Sequence, residues 1–117
     1  MNIEVKNHRI ELSKSLIASI KQHIAADLTR FERMIRSVCV KITDINGPHG
    51  GEDKSCHIQV HLKRASSVII EERGASLLGV AGRAIARLDM AMFRMADRRR
   101  EIRRLKAKTS PNLPHLV

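Results

Sequence analysis

From Ser37 to Glu72 the chain alternates apolar and polar side chains in three short runs, and this period of two limits the fold more than any other feature. In SVCVKITDI (37–45), Val38, Val40 and Ile42 share one side, and Cys39, Lys41 and Thr43 share the other. In SCHIQVHLK (55–63), Cys56, Ile58, Val60 and Leu62 point one way, with His57, Gln59, His61 and Lys63 opposite. SVIIEE (67–72) reads as a third, shorter strand. NGPHGGED (46–53), the densest turn signal in the chain, joins the first two, and Arg64-Ala65-Ser66 suits a hairpin connection to the third. Two successive hairpins predict three antiparallel strands with one apolar and one wet face.

The flanks complete the layout. Residues 2–6 alternate as well, which predicts a strand with Ile3 and Val5 facing the core. Ser13 is a good N-cap. Leu16, Ile17, Ile20, Ile24, Leu28, Phe31 and Ile35 then fall within an arc of about 120° at ~100° per residue, which predicts an amphipathic helix over 13–34. Beyond Gly74, Ser76 is a second N-cap. The stripe Leu77, Ala81, Ala84, Leu88, Met92 and Met95, with Ile85 beside it, predicts a helix from Leu77 to about Lys106. Gly79 and Gly82 weaken its first turns by ~1 kcal/mol each relative to Ala, and they suit close packing on the sheet. The order is therefore β-α-β-β-β-α: an α+β domain, a four-stranded sheet with two helices packed on one face. A length of 117 residues fits one domain, taken as 1–108, with 109–117 as a flexible C-terminal tail.

Composition excludes several classes. No apolar run approaches the ~18 residues that a membrane span needs, so no membrane partner is expected. The polar, alternating start argues against a signal peptide. Two cysteines are too few for a disulfide scaffold and indicate a reducing, cytoplasmic compartment. Aromatic residues make up 2% of the chain, with Phe31 and Phe93 as the whole set, which argues against a sheet that stacks single-stranded bases.

Charge points to a polyanion. The chain holds 22 Lys+Arg against 12 Asp+Glu, a net +10. Residues 74–108 hold ten of those cations and only three acids, a net +7, and the remaining 82 residues carry +3. On a helical wheel Arg83, Arg87, Arg94 and Arg98 lie at relative angles of about 0°, 40°, 20° and 60°, a ridge about 22 Å long. Arg98, Arg99, Arg100, Arg103, Arg104, Lys106 and Lys108 extend it. Like charges at this spacing repel, and a polyanion that neutralises them explains the pattern best. The planar guanidinium suits phosphate oxygens. Phosphate contacts position a protein without reading bases, so shape recognition is expected.

Chemical motifs are scarce. No GxSxG, HExxH or Walker-type loop is present, and the glycines of NGPHGG do not open a helix. Cys39, His49, Cys56, His57 and His61 cluster around the central hairpin. Cys56 falls in phase with Ile58 and Val60 and reads as a small buried hydrophobe. That leaves Cys39, His57 and His61 as a three-ligand patch on the wet face, short of the four ligands of a structural zinc site. Exposed polar side chains are the simpler reading. Glu71-Glu72 is an adjacent pair, unlike the facing carboxylates of acid–base catalysis. Met92 and Met95 continue the apolar stripe and read as core. Neither enzymatic activity nor a cofactor, metal or small-molecule substrate is expected.

Three stretches carry a family resemblance: IEVKNHRIELSKSL (3–16), GGEDKSCHIQVHL (50–62) and VIIEERGASLLGVAGRAIARL (68–88). In this order, and with a basic last helix, they resemble the ribosome hibernation-promoting factors and ribosome-associated translation inhibitors, also called sigma-54 modulation proteins, in their short form. The resemblance covers about residues 2–105. It implies a fold like a double-stranded-RNA-binding domain (dsRBD-like) with an extra first strand. It also implies binding to small ribosomal subunit rRNA, and to the 70S ribosome, at the decoding region. There such a protein would exclude mRNA and A- and P-site tRNA by volume and inhibit translation under stress or in stationary phase. Carried onto this chain, RNA contacts fall on Arg87, Arg94 and Arg98; the wheel adds Arg83, and the basic cluster adds Arg99. The outer face of the first helix offers His23, Arg30 and Arg33, interrupted by Ala26 and Asp27. The alternatives are a free binder of structured or double-stranded RNA and a small metal- or thiol-dependent enzyme using Cys39, His57 and His61.

Overall fold

A computed structural model describes residues 1–45, 54–64 and 66–108, with side chains to Arg100. The turn at 46–53 with His49, Ala65, the side chains of the basic run beyond Arg100, and the tail from 109 lie outside the described residues. The elements run β1 (Asn2–His8), α1 (Lys14–Leu28), a 3₁₀ segment (Thr29–Met34), β2 (Ile35–Asp44), β3 (Lys54–Leu62), β4 (Val68–Gly74) and α2 (Leu77–Lys108). The four strands form one sheet in the order β1-β2-β3-β4, with β1 parallel to β2 and the other pairs antiparallel. This is the expected α+β layout. The alternation places Val38, Val40, Ile42, Cys56, Ile58, Val60 and Leu62 in the core under Ile20, Ile24 and Leu28 of α1 and Val80, Ala84, Leu88 and Met92 of α2.

Both serine caps form. Ser13 Oγ accepts from the Leu16 amide at 3.1 Å, and Ser76 Oγ accepts from the Gly79 amide at 3.3 Å. Each satisfies an amide that its helix leaves without a carbonyl partner.

The first helix is shorter than its apolar stripe predicts. Regular α-helix stops at Leu28, the 3₁₀ segment carries the buried Phe31, and Ile35 opens β2 opposite Leu62. A bulge explains why Ile35 still looks helical in sequence. Ile35 pairs with Leu62 but Ser37 with His61, so Arg36 is the extra residue. Without that bulge Ile35 and Val38, three apart, would face opposite sides of the sheet; with it both are buried. A tighter 3₁₀ turn is a common way to end a helix, and here it feeds the chain directly into the strand.

At the far end of the β2–β3 hairpin, Lys54 Nζ lies 3.1 Å from Asp44 Oδ2. The two residues are register partners, and Asp44 is buried. The β4–α2 junction is tight for a different reason than the one expected. An added Cβ at Gly82 would meet nothing within 4 Å, and at Gly79 only ordinary contacts. At Gly74 it would lie 2.6 Å from Arg83 Nη2 and 2.9 Å from Val80 Cγ2. The close approach of strand and helix thus falls at the strand's last residue.

Candidate nucleic-acid interface

Helix α2 buries Val80, Ala84, Leu88 and Met92 and leaves Arg83, Arg87, Arg94 and Arg98 exposed. The ridge runs beside β4: Arg87 and Arg94 flank a hollow with Ile70 and Ala91, and Arg94, Arg98 and Arg99 rim a second one with Val68 and Met95. The four predicted arginines therefore share one flank of the helix.

Their partners divide them into two pairs. Arg83 Nη2 donates to the Arg73 carbonyl at 2.9 Å, and its Nε lies 3.7 Å from Glu72 Oε1. Arg87 Nη1 donates to the Glu71 carbonyl at 2.9 Å and to Glu72 Oε2 at 3.0 Å. These two guanidiniums fasten α2 to the end of β4. Arg94 and Arg98 have no ion pair among the described residues. Glu72 is the residue that sequence reasoning missed as a counter-ion. Its signal is phase: it continues the inward series Val68, Ile70, Glu72, so a half-buried carboxylate there needs a cation from the helix above.

The first-helix candidates divide between two elements, His23 on α1 and Arg30 and Arg33 on the 3₁₀ segment that follows it. His23 Nε2 lies 3.8 Å from Asp27 Oδ2, one turn on. Arg33 is exposed on the 3₁₀ segment. Arg30 leaves the helix face altogether and sits with its guanidinium 4.7 Å from the Phe93 ring centre and 6.0 Å from that of Phe31. The two rings meet edge to face at 5.4 Å. Arg30, Arg99, Arg100 and Asp97 line the cleft around them, so Arg100 and Phe93 join the candidate set through tertiary contact alone.

On the wet face of the sheet, Cys39 pairs with Gln59, His57 with Lys41 and His61 with Ser37. His61 Nδ1 lies 3.3 Å from Ser67 Oγ. Among the described residues no three His, Cys, Asp or Glu side chains are grouped to hold a metal ion. Cys56 is buried in the core as its phase predicts, and burial pushes its thiol up to about 11, which keeps it protonated and unreactive near neutral pH.

The fold has counterparts among solved structures. The N-terminal domain of Thermus thermophilus Protein Y superposes with a TM-score of 0.66 at 23% identity, covering 81% of this chain and 99% of that one. A ribosomal subunit interface protein from Coxiella burnetii superposes with a TM-score of 0.71 at 10% identity, covering 83% of this chain and 99% of its own. No family model matches the sequence, and no curated protein matches it either. Both neighbours agree with the family that the sequence resembles; at these identities they establish an α+β fold of that kind for this chain.

Proposed function

We propose that this protein is a ribosome hibernation-type factor: a cytoplasmic binding module that lodges on rRNA of the small ribosomal subunit, in the decoding region, and inhibits translation by occupying the mRNA channel and the A and P sites. The observation that carries this reading is the exposed row Arg94 and Arg98, continued by Arg99, on the flank of α2 in a chain of net charge +10. Two exposed guanidiniums without carboxylate partners among the described residues, followed in sequence by further cations, make a strip of positive charge suited to an anion. Support for the ribosome as the polyanion comes from the sequence resemblance and from the neighbour named for the ribosomal subunit interface. The mechanism needs no covalent chemistry, cofactor or small-molecule substrate. A rigid basic wedge in an RNA-lined cleft excludes tRNA by volume.

Sedimentation tests it. The full chain should travel with small subunits and 70S ribosomes in low-salt gradients and remain at the top in high salt. If it neutralises ~6 phosphates, log affinity should fall against log salt with a slope of about −4 to −5. A chain that stays at the top of a low-salt gradient overturns the reading, and tight binding to isolated duplex RNA in the same experiment would favour a free double-stranded-RNA binder.

A further inference from the structure

The chain has two aromatic rings, and they meet in one place off the sheet. Phe31 is buried at the 3₁₀ segment, whereas Phe93, on α2, is 40% exposed. Arg30 lies against Phe93 at 4.7 Å and is itself exposed. A guanidinium backed by a ring on one side is a flat, cationic surface, and nucleobases stack on such planes as they do on aromatic rings. The cleft below is about 480 Å³, within the ~300–1,000 Å³ range of small-ligand sites. Its charged lining is Arg30, Arg99 and Arg100 against Asp97, an excess of two positive charges. Arg99, which borders both this cleft and the hollow beside Val68, has its Nη2 buried with no hydrogen-bond acceptor among the described residues. Arg99 and Arg100 both line the cleft, and a phosphate oxygen is the best match for guanidinium groups at its wall.

We propose that this cleft between the 3₁₀ segment and α2 binds one nucleotide unit, its base stacked on the Arg30–Phe93 pair and its phosphate held by Arg99 and Arg100. The proposal rests on the RNA-binding reading above and refines it. The rest of the arginine ridge grips phosphates without regard to bases; this corner adds a base-dependent contact. The ligand chemistry, a base carrying a phosphate, can come from an unpaired residue of RNA or from a free mononucleotide.

With no Trp or Tyr in the chain, the ring-proton NMR signals of the two phenylalanines are free of overlap from other six-membered rings. The full chain is titrated with adenosine 5′-monophosphate, with ribose 5-phosphate as the base-free control, and with a single-stranded RNA hexamer. The mononucleotide should shift the Phe93 ring protons and bind about tenfold more tightly than ribose 5-phosphate, as stacking of one base predicts. R30K keeps the charge but loses the plane, and it should abolish that preference while leaving ribose 5-phosphate affinity unchanged. F93L should act in the same way. A hexamer that binds far more tightly than the mononucleotide, with the same ring shifts, supports an RNA residue as the natural occupant; equal affinity supports a free nucleotide. Equal affinity for the mononucleotide and ribose 5-phosphate overturns the proposal, as does an R30K variant that keeps the preference; the stack is then only a weld between the 3₁₀ segment and α2. Co-sedimentation of the wild-type chain is run in parallel. Ribosome binding without a base preference sinks this inference alone, and a base preference without ribosome binding sinks the hibernation reading while this one stands.

Discussion

The two ends of the arginine ridge on α2 hold the same side chain on the same flank of one helix, yet they do different work. Arg83 and Arg87 spend their hydrogen bonds on Glu72 and on the carbonyls of Glu71 and Arg73. Arg94 and Arg98 lie further along α2 and have no ion pair among the described residues. The difference is in the neighbour: Arg83 and Arg87 lie over the end of β4, where the inward side chain is the carboxylate of Glu72, whereas Arg94 and Arg98 pass its start, where the inward side chains are Val68 and Ile70. A helical wheel counts four equivalent cations; the fold converts two into struts and leaves two exposed, with no ion pair among the described residues. A half-buried Glu72 held by two guanidiniums is worth more than an exposed pair, because removing it would leave two cations facing carbonyls without their counter-charge.

Four experiments sharpen or break that contrast. Leu88 anchors the buried seam that sets the position of both pairs, so Leu88→Ala should cost about 3 kcal/mol in denaturant unfolding; Met90→Ala, on the exposed side, should cost under about 0.5 kcal/mol. Next, the double variant R94E/R98E should keep the wild-type Tm to within a few degrees and lose about 100-fold in ribosome affinity. Its salt slope should fall by about two, one per lost phosphate contact. R83E/R87E should instead lower Tm, and if it leaves stability untouched the division into struts and ligands is wrong.

The third test concerns the core beneath the ridge. Cys56 has its thiol raised from 9.0 to about 11 when folded, so the folded state holds the proton more tightly than the unfolded chain. That contribution is fully present below pH 9.0 and is lost as pH rises towards 11, by up to about 3 kcal/mol. Unfolding free energies measured across this window should fall more steeply for the wild type than for Cys56→Ala. A thiol reagent at neutral pH should label Cys39 and spare Cys56. The fourth variant, Glu72→Gln, should cost about 1 kcal/mol and release Arg83 and Arg87 towards RNA. A steeper salt dependence of ribosome binding would show that the struts become ligands, and an unchanged one that they stay on the backbone carbonyls.

Period and punctuation made most of the fold legible. Alternation over β2, β3 and β4, the cap residues Ser13 and Ser76, and the stripe of α2 all recur in the structure because each depends on residues near in sequence. The end of α1 was not legible, since Ile35 keeps a helical spacing from Phe31 while a bulge at Arg36, visible only through pairing with β3, makes it a strand residue. The excess charge of α2, and the side of the helix that carries it, followed from spacing alone. The division of its arginines did not, nor did the meeting of Arg30 with Phe93, 63 positions apart in the chain.

Local pattern, then, was enough to determine which segments become strands and helices, which faces turn inward, and which stretch carries the excess of positive charge, because these are read from residues close together in the chain. Which arginines remain available, where the two rings converge and how close β4 comes to α2 were decided only when distant segments packed together. A side chain's partners are set by distances across the fold, and those distances are not written in the order of the residues.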